Sequence, residues 1–147
     1  SASYDKTAIV WDSISGERVA TLEGHTGALR GVAWMQQGDS DPEAGPGGNM
    51  LVTASEDKTL IVWDGATGQP LKQLRGHDGG VHAVAWKGHR IVSGAGDQSV
   101  IVWDAATGRR ACRLEAHEGA VLSVAVEGSR IVSASGDKTA IVWDHHK

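Results

Sequence analysis

Apolar residues in this chain fall in short runs that alternate with polar ones, broken by glycine, aspartate and histidine. The stretch 71–104 shows the pattern. Leu71-Lys72-Gln73-Leu74 alternates and ends at a turn, Arg75-Gly76-His77. In the next run, 81–86, alternation places Val81, Ala83 and Ala85 on one face and His82, Val84 and Trp86 on the other, because successive strand side chains point opposite ways. Lys87-Gly88-His89 is a short turn, and Arg90-Ile91-Val92-Ser93 begins a third run. Gly94-Ala95-Gly96-Asp97-Gln98 predicts a tight polar turn. Residues 99–103 are apolar on both faces, which predicts a strand covered on both sides. One unit is thus four short strands, and no stretch keeps a helical period.

The unit recurs. Ile-Val-Trp-Asp closes the hexapeptides at 7–12, 59–64, 99–104 and 139–144. Trp63, Trp103 and Trp143 stand 40 residues apart, and Trp11 stands 52 before Trp63. His25, His77 and His117 keep the same beat, with intervals of 52 and 40. The 12 extra residues lie between Trp34 and Leu51.

A single four-stranded sheet that is apolar on both faces is unstable in water. Stacking such sheets around an axis lets each cover its neighbours, which predicts a β-propeller. A period of about 40 to 45 residues with Gly-His and Trp-Asp marks is that of a WD repeat. The chain resembles the WD-repeat β-propeller family over nearly its whole length. The resemblance rests on Gly24-His25, Gly76-His77, the four Trp-Asp pairs, and the turns Asp5-Lys6-Thr7, Asp57-Lys58-Thr59, Asp97-Gln98-Ser99 and Asp137-Lys138-Thr139. Ala116-His117 departs from Gly-His, a change expected to stiffen that turn.

The resemblance implies strands a to d in each blade, with d outermost and encoded in the following repeat. The expected class is all-β, a partial β-propeller of four-stranded antiparallel blades with two complete blades between two partial ones. The divisions are 1–12 (end of a repeat), 13–64, 65–104, 105–144 and a tail, 145–147. Residues 1–3 and 7–12 read as the end of strand b and all of strand c, and 19–22 as strand d. The family's ring is closed, most often with seven blades, so the missing blades must come from the rest of a longer chain or from a second copy. The first source is the preferred expectation, and a ring closed by a homo-oligomer is the alternative.

The resemblance also implies an internal hydrogen-bond network of a turn His, a Ser or Thr in strand b, a turn Asp and the strand c Trp. On this sequence the sets are His25, Thr53, Asp57 and Trp63; His77, Ser93, Asp97 and Trp103; and His117, Ser133, Asp137 and Trp143. Ser55 and Ser135 also lie in strand b, but the equivalent residue in the middle set is Ala95, so the first hydroxyl is the consistent choice. A buried Trp N–H needs an acceptor and a buried carboxylate needs donors. Serine, histidine and aspartate together also suggest a hydrolytic triad, yet three near-identical copies tied to a Trp read as stapling rather than catalysis.

The family's partner-contact positions lie on the top face, after the Gly-His turn and before the turn Asp. Here they are Ala28, Arg30, Gly80, His82, Ala120 and Leu122, with Tyr4, Glu56, Gly96 and Gly136. Interface hot spots favour Trp, Tyr and Arg. Tyr4, Arg30 and Glu56 are therefore the expected leading patch, followed by His82 and then Leu122. The insertion 36–49 is acidic and rich in Gly and Pro. It reads as an exposed loop, which the topology of the family puts between strands a and b on the bottom face. It is a tolerated insertion or an acidic contact for a basic partner.

Charge and composition narrow the rest. A net charge of −4 argues against nucleic acid, which calls for a basic stripe. No apolar run reaches the roughly 20 residues of a membrane span. Cys112 is the single cysteine and reads as a small buried apolar residue. His145-His146 has no third metal ligand beside it, and no phosphate loop or nucleophile elbow occurs, so no cofactor or metal is expected. The expected function is a protein-interaction scaffold, not an enzyme. It binds other proteins or peptides, rather than nucleic acid or membrane, inside the cell, with the cytoplasm preferred to the nucleus.

Overall fold

The computed structural model describes residues 5–35, 50–65 and 67–144. The insertion 36–49, Tyr4 and the tail 145–147 lie outside the described residues. The Val, Ile and Thr-rich runs form thirteen short strands among the described residues, as β-branched residues favour. No helix occurs among the described residues, hence none long and apolar enough to cross a membrane.

The strands are grouped as blades. Blade 1 holds β1 (Thr7–Trp11) and β2 (Arg18–Glu23). Blade 2 holds β3 (Leu29–Trp34), β4 (Met50–Ser55), β5 (Thr59–Asp64) and β6 (Pro70–Arg75). Blade 3 holds β7 (Val81–Lys87), β8 (Arg90–Ala95), β9 (Ser99–Asp104) and β10 (Arg110–Glu115). Blade 4 holds β11 (Val121–Glu127), β12 (Arg130–Ser135) and β13 (Ala140–Asp144). Every pairing is antiparallel between sequence neighbours. β7 lies between β3 and β11, so the first strands of blades 2, 3 and 4 stand side by side. The architecture is a partial β-propeller, with two complete blades between two partial ones among the described residues.

Apolar cores fill the spaces between blades. Val52, Ala54, Leu60, Val62 and Leu74 of blade 2 pack on Val81, Trp86, Ile91, Ile101 and Trp103 of blade 3. Ala8, Val10 and Leu22 meet Leu29, Leu51, Ile61 and Trp63 at the junction before it. Val92, Val100 and Val102 meet Val121 and Ile131 at the junction after it. Strand β9 is buried on both faces from Ser99 to Trp103, because a blade lies against each side. Cys112 is half-buried rather than buried, at the edge of that last core, and burial pushes its thiol pKa up.

Two expectations change. The turn expected at 94–98 is shorter, since β8 continues through Ala95 and the Gln98 amide donates to the Ala95 carbonyl at 3.2 Å. The face assignment of 81–86 also changes. Val81 pairs with Ala95 while Ala83 pairs with Gly94, so His82 is an extra residue in the ladder. This bulge turns Val81 onto the face of Val84 and Trp86 and leaves Ala83 and Ala85 on the other. Arg30 and Leu122 are the extra residues of matching bulges in blades 2 and 4.

Candidate functional site

Each Gly-His turn is drawn onto the hairpin between the second and third strands of its blade. In blade 3, Asp97 sits in a tight hairpin turn whose next residue, Gln98, has a left-handed φ of 71°. Lys58 and Lys138 take the same conformation in their blades, the geometry of a three-residue hairpin loop. Asp97 Oδ1 accepts from the Ser99 amide at 3.0 Å and the Ser99 hydroxyl at 2.6 Å. Its Oδ2 accepts from the Asp78 amide at 2.8 Å and lies 3.1 Å from His77 Nδ1. His77 Nε2 is 2.7 Å from Ser93 Oγ, and Trp103 Nε1 donates to the same oxygen at 2.8 Å.

A neutral imidazole with its proton on Nδ1 satisfies every group. Nδ1 donates to the carboxylate, Nε2 accepts from the serine hydroxyl, and the serine oxygen accepts from the indole. Burial holds the His77 pKa below its ordinary 6.5, and Asp97 opposes that shift without overcoming it. Burial pushes the Asp97 carboxyl up, but the Ser99 hydroxyl, the Asp78 and Ser99 amides and His77 outweigh it and bring it to about 2.

The same arrangement stands in the flanking blades. His25 Nδ1 is 2.9 Å from Asp57, His25 Nε2 is 2.6 Å from Thr53 Oγ1, and Trp63 Nε1 donates to that oxygen at 2.8 Å. In blade 4 the distances are 3.0 Å from His117 to Asp137, 2.7 Å from His117 to Ser133, and 2.9 Å from Trp143 to Ser133. Burial raises Asp57, yet the Thr59 hydroxyl, His25 and two amides leave it below the ordinary carboxylate range. The Thr139 hydroxyl leads a similar lowering at Asp137.

Sequence reasoning omitted the hydroxyls of Thr59, Ser99 and Thr139, each of which donates to its turn aspartate. Their signal was the hydroxyl residue two places after every turn Asp. The second hydroxyl of strand b serves the turn: Ser55 Oγ donates to the Gly27 carbonyl at 3.0 Å and accepts from the Asp57 amide at 3.1 Å. The Gly of Gly-His has a steric cause. A methyl on Gly76 would stand 3.0 Å from the Trp103 ring, and one on Gly24 would stand 3.2 Å from Trp63. Trp103 is buried, whereas Trp143, in the repeat that carries Ala116, is only partly so.

The Ser–His–Asp geometry does not make a reactive centre. Ser93 Oγ lies beneath the blade surface at 0% exposure with Trp103 donating to it, so no substrate carbonyl reaches it. Among the described residues, no group of three or more His, Cys, Asp or Glu is arranged to hold a metal.

The other expected positions line the turn end of the blades. Backbone hydrogen bonds tie Glu56 to Ala28, Gly96 to Gly80 and Gly136 to Ala120. The bulges aim Arg30, His82 and Leu122 beside these pairs. Arg30 Nε donates to Glu56 Oε1 at 2.8 Å, with both side chains partly exposed. A methyl on Gly80 would stand 3.2 Å from Glu56 Cα, so blades 2 and 3 abut there. His82 Nε2 overhangs Gly96, and Leu122, 55% exposed, stands beside Gly136. Arg30, Glu56 and His82 thus form one strip that continues toward Leu122. Tyr4 lies outside the described residues.

Residues 16–64, 68–104 and 108–144 match the family described as WD domain, G-beta repeat. Over 86 residues, 58% of the chain, there is 37% identity to Nuclear distribution protein PAC1 of Fusarium vanettenii, of which the match covers 19%. Identity to Nuclear distribution protein nudF 2 of Aspergillus clavatus is 40% over 87 residues, 57% of the chain and 18% of that protein. WD repeat-containing protein 41 of Homo sapiens is 32% identical over 74 residues, 50% of the chain and 16% of that protein. The chain spans less than a fifth of the length of these curated relatives. Its fold is similar to the crystal structure of the computationally designed Ika4 protein, with a TM-score of 0.82 and 29% identity, covering 99% of this chain and 83% of that one.

Proposed function

The chain belongs to the WD domain, G-beta repeat family, and on that premise we propose that it is a non-enzymatic scaffold that binds other proteins or peptides through the turn end of its blades. Proteins of this family generally act as interaction scaffolds. The observation that carries the reading is the row of bulges. Arg30, His82 and Leu122 are the unmatched residues of the ladder, and their side chains stand beside Glu56, Gly96 and Gly136 respectively. The bare glycines leave a shallow floor between them. A partner segment meets the Arg30–Glu56 pair at one end, an imidazole in the middle and an apolar anchor at Leu122. Tyr4 joins the charged end by its place in the sequence.

The His–Ser/Thr–Asp–Trp sets act in this reading as internal staples. They fix the hairpin turns that hold positions 56, 96 and 136, and so pre-organise the strip. The net charge of −4 favours a protein or peptide over nucleic acid. Relatives named nuclear distribution proteins support a place inside the cell.

The test compares affinity capture by the unmodified chain with two variants, each quantified by mass spectrometry. Arg30→Glu combined with Leu122→Ser alters the strip, and Glu127→Lys alters a 91% exposed side chain at the far end of β11, 3.8 Å from Lys87. Bound proteins are expected to fall at least about tenfold with the strip variant, a loss of roughly 1.4 kcal/mol, and to persist with Glu127→Lys. Equal capture by the strip variant refutes the placement.

A further inference from the structure

At the end of the blades away from the Gly-His turns, charge is unevenly placed. Blade 3 carries Lys87 at the end of β7, Arg90 at the start of β8, and Arg109 and Arg110 where β10 begins. The register sets them in one row. Lys87 pairs with Arg90 and Arg90 with Asp104, and the Asp104 amide donates to the Arg109 carbonyl at 2.9 Å. Asp104 is the acidic residue at this end of blade 3, and its carboxylate is held in its own turn, accepting from the Ala106 amide at 2.9 Å. The matching places in blade 2 are Met35, Met50, Gln69 and Pro70, so the fold does not demand cations there. Nor do they favour solubility, since each one moves a net charge of −4 closer to zero.

These cations are little used within the chain. Arg109 and Arg110 are exposed, and neither is ion-paired to a carboxylate among the described residues. Lys87 has a 3.8 Å contact to Glu127, whose side chain is 91% exposed. Arg90 reaches across to blade 4, where its Nη2 donates to the Gly128 carbonyl. Its Nη1 is buried and has no acceptor among the described residues. Arg130, exposed and two residues beyond Gly128, carries the row onto blade 4.

We propose that this row is a second docking surface, for an extended, acidic segment of a partner protein. It lies at the other end of the blades from the strip of Arg30, His82 and Leu122 and does not depend on it. A single exposed ion pair contributes little, so recognition needs several at once, and a row supplies them. Neighbouring strands stand about 4.8 Å apart, so the ends of β7 to β10 span roughly 15 Å. In an extended segment, alternate side chains share a face at intervals of about 7 Å. Two or three carboxylates of such a segment therefore lie over Lys87, Arg90, Arg109 and Arg110 together. Arginine forks bind carboxylates through paired N–H groups, and a carboxylate at the seam between blades 3 and 4 gives Arg90 the acceptor it lacks. The cations are confined to one blade and the edge of the next in a chain of net charge −4, which favours a short protein segment over nucleic acid.

The test is fluorescence anisotropy with a labelled peptide of alternating glutamate and serine, about ten residues long so that it spans the row. At about 50 mM salt, where screening is weak, saturable binding is expected. Arg109→Glu with Arg110→Glu is expected to weaken it at least about tenfold, and the neutral pair Arg109→Gln with Arg110→Gln by less. Arg30→Glu with Arg75→Glu removes the same charge at the Gly-His end and is expected to leave the affinity unchanged. Equal loss from the two charge-reversed pairs marks net charge alone and overturns the placement. No saturable binding, or no loss from either Arg109 and Arg110 pair, overturns it as well. Phosphatidylserine vesicles and a single-stranded RNA oligomer are measured in parallel. Tighter binding of either, lost with the Arg109 and Arg110 pairs, overturns the assignment to a protein segment.

Discussion

Trp103 and His77 meet at one atom: the indole N–H and the imidazole Nε2 both bond to Ser93 Oγ, at 2.8 and 2.7 Å. That oxygen sits between the blade core and the turn, so one hydroxyl joins the strand carrying Trp-Asp to the hairpin carrying Asp97. Ser93→Ala leaves two buried polar groups without their partner. The expected loss is about 3 kcal/mol, read as a lower urea midpoint. Ser93→Thr is expected to cost less than about 1 kcal/mol, because Thr53 makes the same bonds in blade 2. Equal losses for the two variants exclude the shared-oxygen account.

The same network sets the response to acid. His77 has a folded pKa below 6.5 because burial disfavours its charged form. The unfolded chain thus binds the proton more readily, and stability falls as pH drops below 6.5. Asp97 is lowered from 3.8 to about 2. Its contribution is complete above 3.8 and lost as pH falls from there through about 2. Asp57 and Asp137 act in the same direction. Urea midpoints measured from pH 8 to 2.5 are expected to decline in two phases, one beginning near neutrality and one below about 4. Asp97→Asn is expected to weaken the lower phase, and an unchanged profile in that variant counts against the carboxylate.

Much of this was legible because the repeat states it several times. The strands follow from alternation and β-branched residues, and the His, Ser or Thr, Asp and Trp positions from markers that recur in step. What alternation could not show is a change of phase. A bulge needs no special residue at the extra position: Arg30, His82 and Leu122 share no chemistry, so nothing in their identities marks the slip that turns Val81 onto the face of Trp86. The left-handed turn position was equally hidden, since Lys58, Gln98 and Lys138 hold it without glycine. The crowding of Gly76 against Trp103 depends on a contact between distant segments and appears only in three dimensions.

Glycines in this chain fall into two kinds that substitution separates. A methyl on Gly79 would stand 2.7 Å from the Asp97 backbone nitrogen, where neither partner yields without moving the turn. Gly88 has φ +60° and open space around its missing Cβ. Gly79→Ala is expected to cost more than about 2 kcal/mol. Gly88→Asn is expected to cost under about 1 kcal/mol, since asparagine tolerates the left-handed region. Thermal melts of the two variants check the ordering, and a harmless Gly79→Ala disproves the close-approach argument.

Lys72 makes the last comparison, between blades rather than within one. From β6 of blade 2 its ammonium donates to the Ala105 carbonyl at 3.0 Å and also to the Ala106 carbonyl, both in the turn after β9 of blade 3. The equivalent residue in blade 1 is Ala20 and in blade 3 is Cys112, so this clasp belongs to the blade 2–3 junction. The aliphatic stem also lies 3.5 Å from where a methyl on Gly108 would stand. Lys72→Met keeps the stem and removes the ammonium. The expected cost is about 1 kcal/mol, the lower end for a charged donor because the site is part-exposed. Faster hydrogen exchange is expected at the Gly108 amide, which donates to Asp104 within that turn, while the Gly68 amide in the matching turn of blade 2 is unaffected. Equal acceleration at both turns points instead to general loosening and removes the clasp as the cause.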